Sequence, residues 1–199
     1  MSAARIRTAI LISGRGSNML ALIEAARPAD YPAEIALVLS SRPDAPGLAA
    51  AKALGVATAA VDHKIFAGRA EFEAAIQMLL DIHRIDILCL AGFMRLLTPG
   101  FVALWQGRII NIHPALLPAY KGLDTHARAL ADGVAEHGCT VHHVTAAMDE
   151  GPVIAQARVA VLAGDTAATL AARVLEAEHG LYPVALAEVA RGLHRAKDC

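Results

Sequence analysis

Aromatic residues are scarce in this sequence: they make up only 4% of its 199 positions, although 56% are hydrophobic. A core with so few rings must be filled by Ala, Leu, Ile and Val, and a chain of this length can bury enough of them to fold without cross-links. Cysteine is sparse as well. Cys89, Cys139 and Cys199 make an odd number with no Cys-x-x-Cys pair, so neither a disulfide framework nor a zinc knuckle is indicated. Reduced thiols in a cytoplasm are the plain expectation. Neither sign of charge is in excess, with 18 Lys and Arg against 19 Asp and Glu. A phosphate-backbone binder would carry a basic excess or stripe, so no nucleic-acid partner is expected, while a single small anion stays compatible. Residues 1–7 lack a signal-peptide pattern, and no apolar run is much longer than a strand. The expectation is a soluble, cytoplasmic protein with no membrane partner.

What is present is an alternation of short apolar runs with Ala-rich stretches of helical period, a βαβα pattern that predicts an α/β fold. Strands are expected at residues 6–13, 34–40, 56–61, 86–91, 107–113, 139–145 and 153–161. Helices are expected at 18–26, 47–54, 69–83 and 125–131. Residues 166–190 read as a long helix that Pro183 interrupts. Two prolines and a glycine make 114–122 a loop, and the absence of repeats or linkers favours one domain over 1–199.

Strand, then Ser13-Gly14-Arg15-Gly16-Ser17-Asn18, then helix can bind an anion through free N–H groups at the helix start. A dinucleotide fingerprint fails, because Met19 stands where a small residue is needed and Ser40-Ser41-Arg42 where an acid should end the second strand. A Walker loop fails for want of Gly-Lys-Ser/Thr. A monophosphate site and a plain strand–helix turn capped by Ser17 or Asn18 remain the two readings.

Asn111 and His113 are two apart at the end of a strand, so they share a face, where α/β sheets collect ligands. An amide donor beside an imidazole suits a carbonyl oxygen that gains negative charge. Asp149, in the turn Met148-Asp149-Glu150-Gly151-Pro152, is the candidate third member. A carboxylate near an imidazole favours its protonated form, which makes the ring a proton donor and the carboxylate a later proton acceptor. A solvated strand-end His and a turn-forming Asp are the plainer alternatives. His142 and His143 are adjacent on a strand and face opposite sides, and no His-x-x-x-His or Cys pair accompanies them, so no metal is expected. Lys121 is a loop cation, and Arg69 opens a helix against the dipole, a weak pointer to a ligand.

Four segments occur in order: Ile12-Ser13-Gly14-Arg15-Gly16-Ser17-Asn18, Leu90-Ala91-Gly92-Phe93-Met94-Arg95, Asn111-Ile112-His113-Pro114-Ala115-Leu116-Leu117-Pro118 and Met148-Asp149-Glu150-Gly151-Pro152-Val153-Ile154. With them the chain resembles the folate-dependent formyltransferases, over about residues 6–192, in the branch that formylates glycinamide ribonucleotide. The resemblance implies an open, mostly parallel seven-stranded sheet with helices on both faces. Residues of about 5–100 would form a Rossmann-like, phosphate-binding half and about 101–193 a catalytic, folate-binding half. It implies that Gly16, Ser17 and Asn18 hold the phosphate and that Glu178 contacts the ribonucleotide. Met94, Arg95, Leu96 and Leu97 would lie along the folate, with Ala146, Ala147, Met148 and Asp149 closing over the pterin. Arg69 would meet an anionic ligand, by preference the folate, and Asn111, His113 and Asp149 match the catalytic positions. The implied substrates are glycinamide ribonucleotide and 10-formyltetrahydrofolate, with no metal, in a monomer or homodimer. Lys121 and Asp124 stand where members often carry Pro and His, Thr140 where Ser is familiar, and His126 matches without an assigned role.

Three other functions compete. Formyl-folate hydrolases usually add an N-terminal domain, and initiator-tRNA formylation calls for a basic C-terminal extension; the chain shows neither pattern. A non-catalytic nucleotide-binding module rests on the glycine loop alone.

Overall fold

In the computed structural model, which describes residues 4–197, seven strands join in one sheet of order β3-β2-β1-β4-β5-β6-β7. They are β1 (Ile6–Ile12), β2 (Ala33–Ser40), β3 (Thr58–Ala60), β4 (Ile87–Leu90), β5 (Ile109–His113), β6 (Glu136–His143) and β7 (Val153–Ala160). The first five pair in parallel, while β6 runs antiparallel to β5 and β7 antiparallel to β6. The helices are α1 (Ser17–Ala25), α2 (Pro46–Ala53), α3 (Arg69–Ile82), α4 (Pro99–Leu104), α5 (Thr125–Ala131) and α6 (Ala167–Lys197).

β1 shows why both faces are covered. Ile6, Ile10 and Ile12 pack with Met19, Leu22 and Ile23 of α1 and with Val174, Tyr182 and Leu186 of α6. Ala9 and Leu11 pack on the other side with Phe72, Ile76 and Leu80 of α3 and with Phe101 and Trp105. A strand sends successive side chains to opposite faces, so the continuously apolar stretch Ala9–Ile12 of β1 needs helices on both. The order reverses at β1, which leads to β2 and β3 on one side while β4 and β5 lie on the other. Loops leaving β1 and β4 therefore diverge and open a crevice at the carboxyl ends of these strands.

Pro183 does not interrupt α6, which runs unbroken from Ala167 to Lys197. Proline removes one helical N–H and crowds the preceding turn, but neighbours hold this turn in place. Tyr31 donates its hydroxyl to the Pro183 carbonyl at 2.6 Å. Tyr182, fully buried, places its hydroxyl 3.0 Å from the carbonyl of Leu90 and 3.1 Å from that of Ile110. Helix α4 was not expected at all, since its six residues are too few to display a period. Pro99 in its first turn and Thr98, whose hydroxyl accepts the Phe101 N–H at 3.2 Å, define its start.

Cys89 and Cys139 are buried free thiols, and burial pushes the Cys139 thiol up to about 12. Cys199 lies outside the described residues. Among those residues no helix is long and apolar enough to cross a membrane. Gly180, exposed in α6, has open space where a Cβ would stand. Gly180→Ala is therefore expected to raise the unfolding free energy by about 0.8–1.0 kcal/mol in urea titrations.

Candidate active site

The loop after β1 forms one side of the crevice. Gly16 occupies the N-cap of α1 in the left-handed region at φ 73°, and no side chain caps the helix. The expected cap by Ser17 or Asn18 is therefore corrected. A φ that glycine adopts at little cost places both residues inside the first turn, whose N–H groups stay open to a ligand. Gly14, Arg15, Gly16, Ser17 and Asn18 line a cavity of about 200 Å³ with Ala91 and Gly92. Asn18 donates Nδ2 to Glu178 Oε2 at 2.6 Å, so the structure joins two predicted site residues that are 160 positions apart. Burial pushes the Glu178 carboxyl above the usual carboxylate range, against the pull of the Asn18 bond. With the Asn18 amide turned to Glu178, the main donors left for an anion are backbone N–H groups, Ser17 and exposed Arg15.

A second, larger cavity of about 540 Å³ lies beside the loop after β4, lined by His63, Phe66, Gly68, Arg69, Phe72, Met94, Arg95 and Leu96. No lining residue is acidic. Neither Arg69 nor Arg95 makes an ion pair among the described residues, so two uncompensated guanidinium groups face this space. Phe66 meets Phe72 edge-on, and Phe72 stacks on Phe93, giving one aromatic wall. Met94 donates its N–H to Ser13 Oγ at 2.9 Å, and its carbonyl accepts Arg95 Nε at 2.6 Å. The polar groups of Met94 are thus occupied. Arg95, Leu96 and Leu97 make no backbone hydrogen bond among the described residues, which leaves their edge open.

A polar cluster lies at the end of β5, where Asn111 pairs with Leu90 just before the β4 loop that lines both cavities. Antiparallel pairing sets Asn111 opposite His142 and His113 opposite Thr140. His113 Nδ1 stands 3.5 Å from Asp149 Oδ2, and His113 Nε2 lies 2.9 Å from the Tyr120 carbonyl. Asp149, itself left-handed at φ 54°, accepts the Gly122 N–H at 2.9 Å on the same Oδ2. Its Oδ1 stands 3.7 Å from His142 Nε2, which lies 3.2 Å from Asn111 Nδ2. His142 Nδ1 is 2.9 Å from the His143 carbonyl, so that nitrogen carries the proton and the neutral ring presents Nε2 as an acceptor to Asn111. The predicted trio is thus together, with His142 as a fourth member.

Thr140 keeps the hydroxyl that shapes this corner. Its Oγ1 donates to the Ala115 carbonyl at 2.6 Å and accepts Leu117 N–H at 3.0 Å and Gln156 Nε2 at 2.9 Å. Ala146, Ala147 and Met148 are exposed on the turn before Asp149. Lys121 reaches Glu150 at 2.9 Å, tying the loop after His113 to the Asp149 turn. His126 sits edge-on to buried His137 with centroids 5.2 Å apart. Asp124 is the left-handed cap residue of α5. Among the described residues no group of three or more His, Cys, Asp or Glu is arranged to hold a metal.

Burial holds the rings of His126, His137, His142 and His143 below the usual imidazole value. Below about pH 6.5 the unfolded chain then binds more protons than the folded one, so stability is complete above that pH and falls as pH drops through it. Glu178, with its carboxyl raised, works in the opposite sense from the ordinary carboxylate value upward. Four rings against one carboxyl predict a urea midpoint that is flat above about pH 6.5 and declines toward about pH 5, measured across that range.

A family model described as formyl transferase matches residues 6–186. The chain belongs to the formyl transferase family. The phosphoribosylglycinamide formyltransferase of Escherichia coli (strain K12) is 43% identical over 183 residues, covering 92% of this chain and 86% of that protein. The human trifunctional purine biosynthetic protein adenosine-3 is 47% identical over 188 residues, or 94% of this chain. The chain spans only 19% of the length of that protein. Among solved structures, phosphoribosylglycinamide formyltransferase from Brucella melitensis superposes with a TM-score of 0.91 at 56% identity, covering 94% of this chain and 96% of that one.

In this formyl transferase, sequence reasoning missed His142 because its approach to Asn111 depends on which strand lies beside β5. The usable signal was alternation: Thr140 and His142 share a face, as Asn111 and His113 do.

Proposed function

We propose that this chain transfers the formyl group of 10-formyltetrahydrofolate to the amine of N1-(5-phospho-D-ribosyl)glycinamide, a step of purine synthesis. The observation that supports this reading is the Asn111–His142–Asp149–His113 cluster at the end of β5, beside the end of β4, whose following loop lines two dissimilar cavities. One presents helix N–H groups suited to a phosphate. The other offers an aromatic wall, a free backbone edge and two unpaired cations, which suit a pterin with an anionic glutamate tail.

The amine lone pair attacks the formyl carbon, and the carbonyl electrons move to oxygen. Collapse breaks the bond from carbon to N10, which takes up a proton, while the amine loses one. Asn111 and His113 are assigned to the oxyanion, each donor contributing about 3 kcal/mol. Asp149 is assigned to hold a proton on His113 Nδ1, the nitrogen that faces it, and to receive the amine's proton. One Asn111 N–H is engaged with His142, leaving the second to donate, while His113 Nε2 is engaged with the Tyr120 carbonyl. To reach His113 Nε2 the formyl oxygen must therefore displace the Tyr120 carbonyl. Holding the two substrates side by side supplies much of the remaining acceleration.

The test is to incubate 10-formyltetrahydrofolate with the protein and add, in separate reactions, glycinamide ribonucleotide, buffer alone or charged initiator tRNA. Loss of the formyl group only with the ribonucleotide is the expected result. Equal loss in buffer would make the chain a hydrolase, and binding without loss would make it a nucleotide-binding module.

A further inference from the structure

Glu73 is a buried carboxylate, 5% exposed, and it makes no ion pair among the described residues. Removing such a group from water is costly unless its lone pairs are used. Both oxygens are spent on one residue of another element: Oε1 accepts the Thr98 N–H at 2.6 Å, and Oε2 accepts the Thr98 hydroxyl. Thr98 in turn caps α4. Glu73 lies one turn beyond Arg69 in α3, and Thr98 directly follows the segment Met94, Arg95, Leu96 and Leu97.

That segment is held at both ends and open between them. At its start, Met94 N–H is bound by Ser13 Oγ, which lies 2.7 Å from Ser41 Oγ at the end of β2. At its end, Thr98 is bound by Glu73. The backbone groups of Arg95, Leu96 and Leu97, between the two anchors, have no partner among the described residues. The segment belongs to no strand or helix, so the anchors define where this edge stands. Because α3 carries both Arg69 and Glu73, one rigid element sets the base of the Arg69 side chain and the anchor of the backbone edge at a fixed spacing beside the cavity of about 540 Å³.

We propose that Glu73 is a positioning residue for folate, resting on the function proposed above: through Thr98 it holds the 94–97 backbone edge in register with Arg69. Glu73 touches no substrate. Its loss widens the range of spacings between the edge that reads the pterin and the cation that meets the anionic tail, so folate binding weakens while the phosphate loop and the Asp149 cluster are untouched.

The experiment compares wild type with Glu73→Gln, Thr98→Val, Thr98→Ser and the double variant Glu73→Gln/Thr98→Val. The readouts are KM for each substrate, kcat, thermal midpoint, and tetrahydrofolate binding by calorimetry. Losing charge-assisted hydrogen bonds of this kind predicts a rise of about tenfold in the folate KM and in the tetrahydrofolate Kd. The expected pattern has an unchanged KM for glycinamide ribonucleotide, kcat within about twofold, a double variant no worse than the worse single one, and near wild-type behaviour for Thr98→Ser. Should Glu73→Gln not fold, Thr98→Val carries the same comparison. An unchanged folate KM in Thr98→Val, or equal rises in both KM values as the thermal midpoint falls, would overturn the positioning role and leave a purely structural one. Absence of tetrahydrofolate binding by wild type would instead overturn the folate reading itself, and with it this role.

Discussion

Asp149→Asn is expected to lower kcat by about a hundredfold to ten-thousandfold, the range that a positioned proton acceptor contributes, while the protein stays folded. The substitution keeps shape and removes only charge. The oxygen of the introduced amide can still accept the Gly122 N–H that Asp149 Oδ2 accepts at 2.9 Å. Its NH2 then faces His142 Nε2 at about the 3.7 Å of the present oxygen and competes with Asn111 for the one lone pair there. The conflict is confined to this one shared acceptor, so the thermal midpoint should move by only a few degrees, about the effect of 1 kcal/mol in a domain of this size. What disappears is the carboxylate beside His113 Nδ1 and the acceptor for the amine's proton. KM for glycinamide ribonucleotide should stay near wild type, because the glycine loop makes no bond to Asp149. Steady-state kinetics with a parallel thermal scan check both halves. Turnover within about threefold of wild type would remove Asp149 from the mechanism.

Gly151→Ala is expected to cost on the order of 3–5 kcal/mol of stability and to abolish most activity in the fraction that folds. A Cβ on Gly151 would overlap the His143 carbonyl oxygen and lie 2.8 Å from its carbon. These are backbone atoms that no rotamer change can move aside. Relief requires β6 and β7 to separate where His143 donates its N–H to the Pro152 carbonyl at 2.9 Å and where the pairing already carries a bulge at Val141/His142. The turn between these strands carries Asp149, and the same movement withdraws the carboxylate from His113 and the carbonyl of His143 from His142. Urea unfolding measures the first effect and kcat per folded molecule the second. A stability within about 1 kcal/mol of wild type would show that the hairpin yields at little cost. Gly180→Ala, predicted above to stabilise, is the matching control, since the same added methyl there meets open space.

The two substitutions divide the site as its physical origins do. Asn111 and His113 were legible as a pair because strand geometry puts i and i+2 on one face, whatever lies alongside. The glycine loop was legible as a tight strand–helix turn with open N–H groups because a strand, two glycines and a helix start define it locally. Its detailed working was not. Gly16 rather than Ser17 or Asn18 caps α1, and the Asn18 amide is engaged by Glu178 from the far end of the chain. Local sequence cannot show a donor consumed from such a distance.

The order of residues was enough to specify the alternation of buried strands and amphipathic helices, hence an α/β fold, because the period of apolar residues is a property of chain neighbours alone. The same holds for the chemistry available at the end of β5 and in the glycine loop. Other features exist only once the chain is packed. The antiparallel course of β6 beside β5 brings His142 to Asn111 and Asp149. Passage of α6 through Pro183 without a break depends on Tyr31 and on the buried Tyr182 hydroxyl. The grip of Glu73 on Thr98 spaces the open 94–97 edge from Arg69. The hydrogen bonds behind the last two join residues from 25 to 152 positions apart. Their energies arise from burial and hydrogen bonding across the packed fold, which no local pattern in the chain encodes.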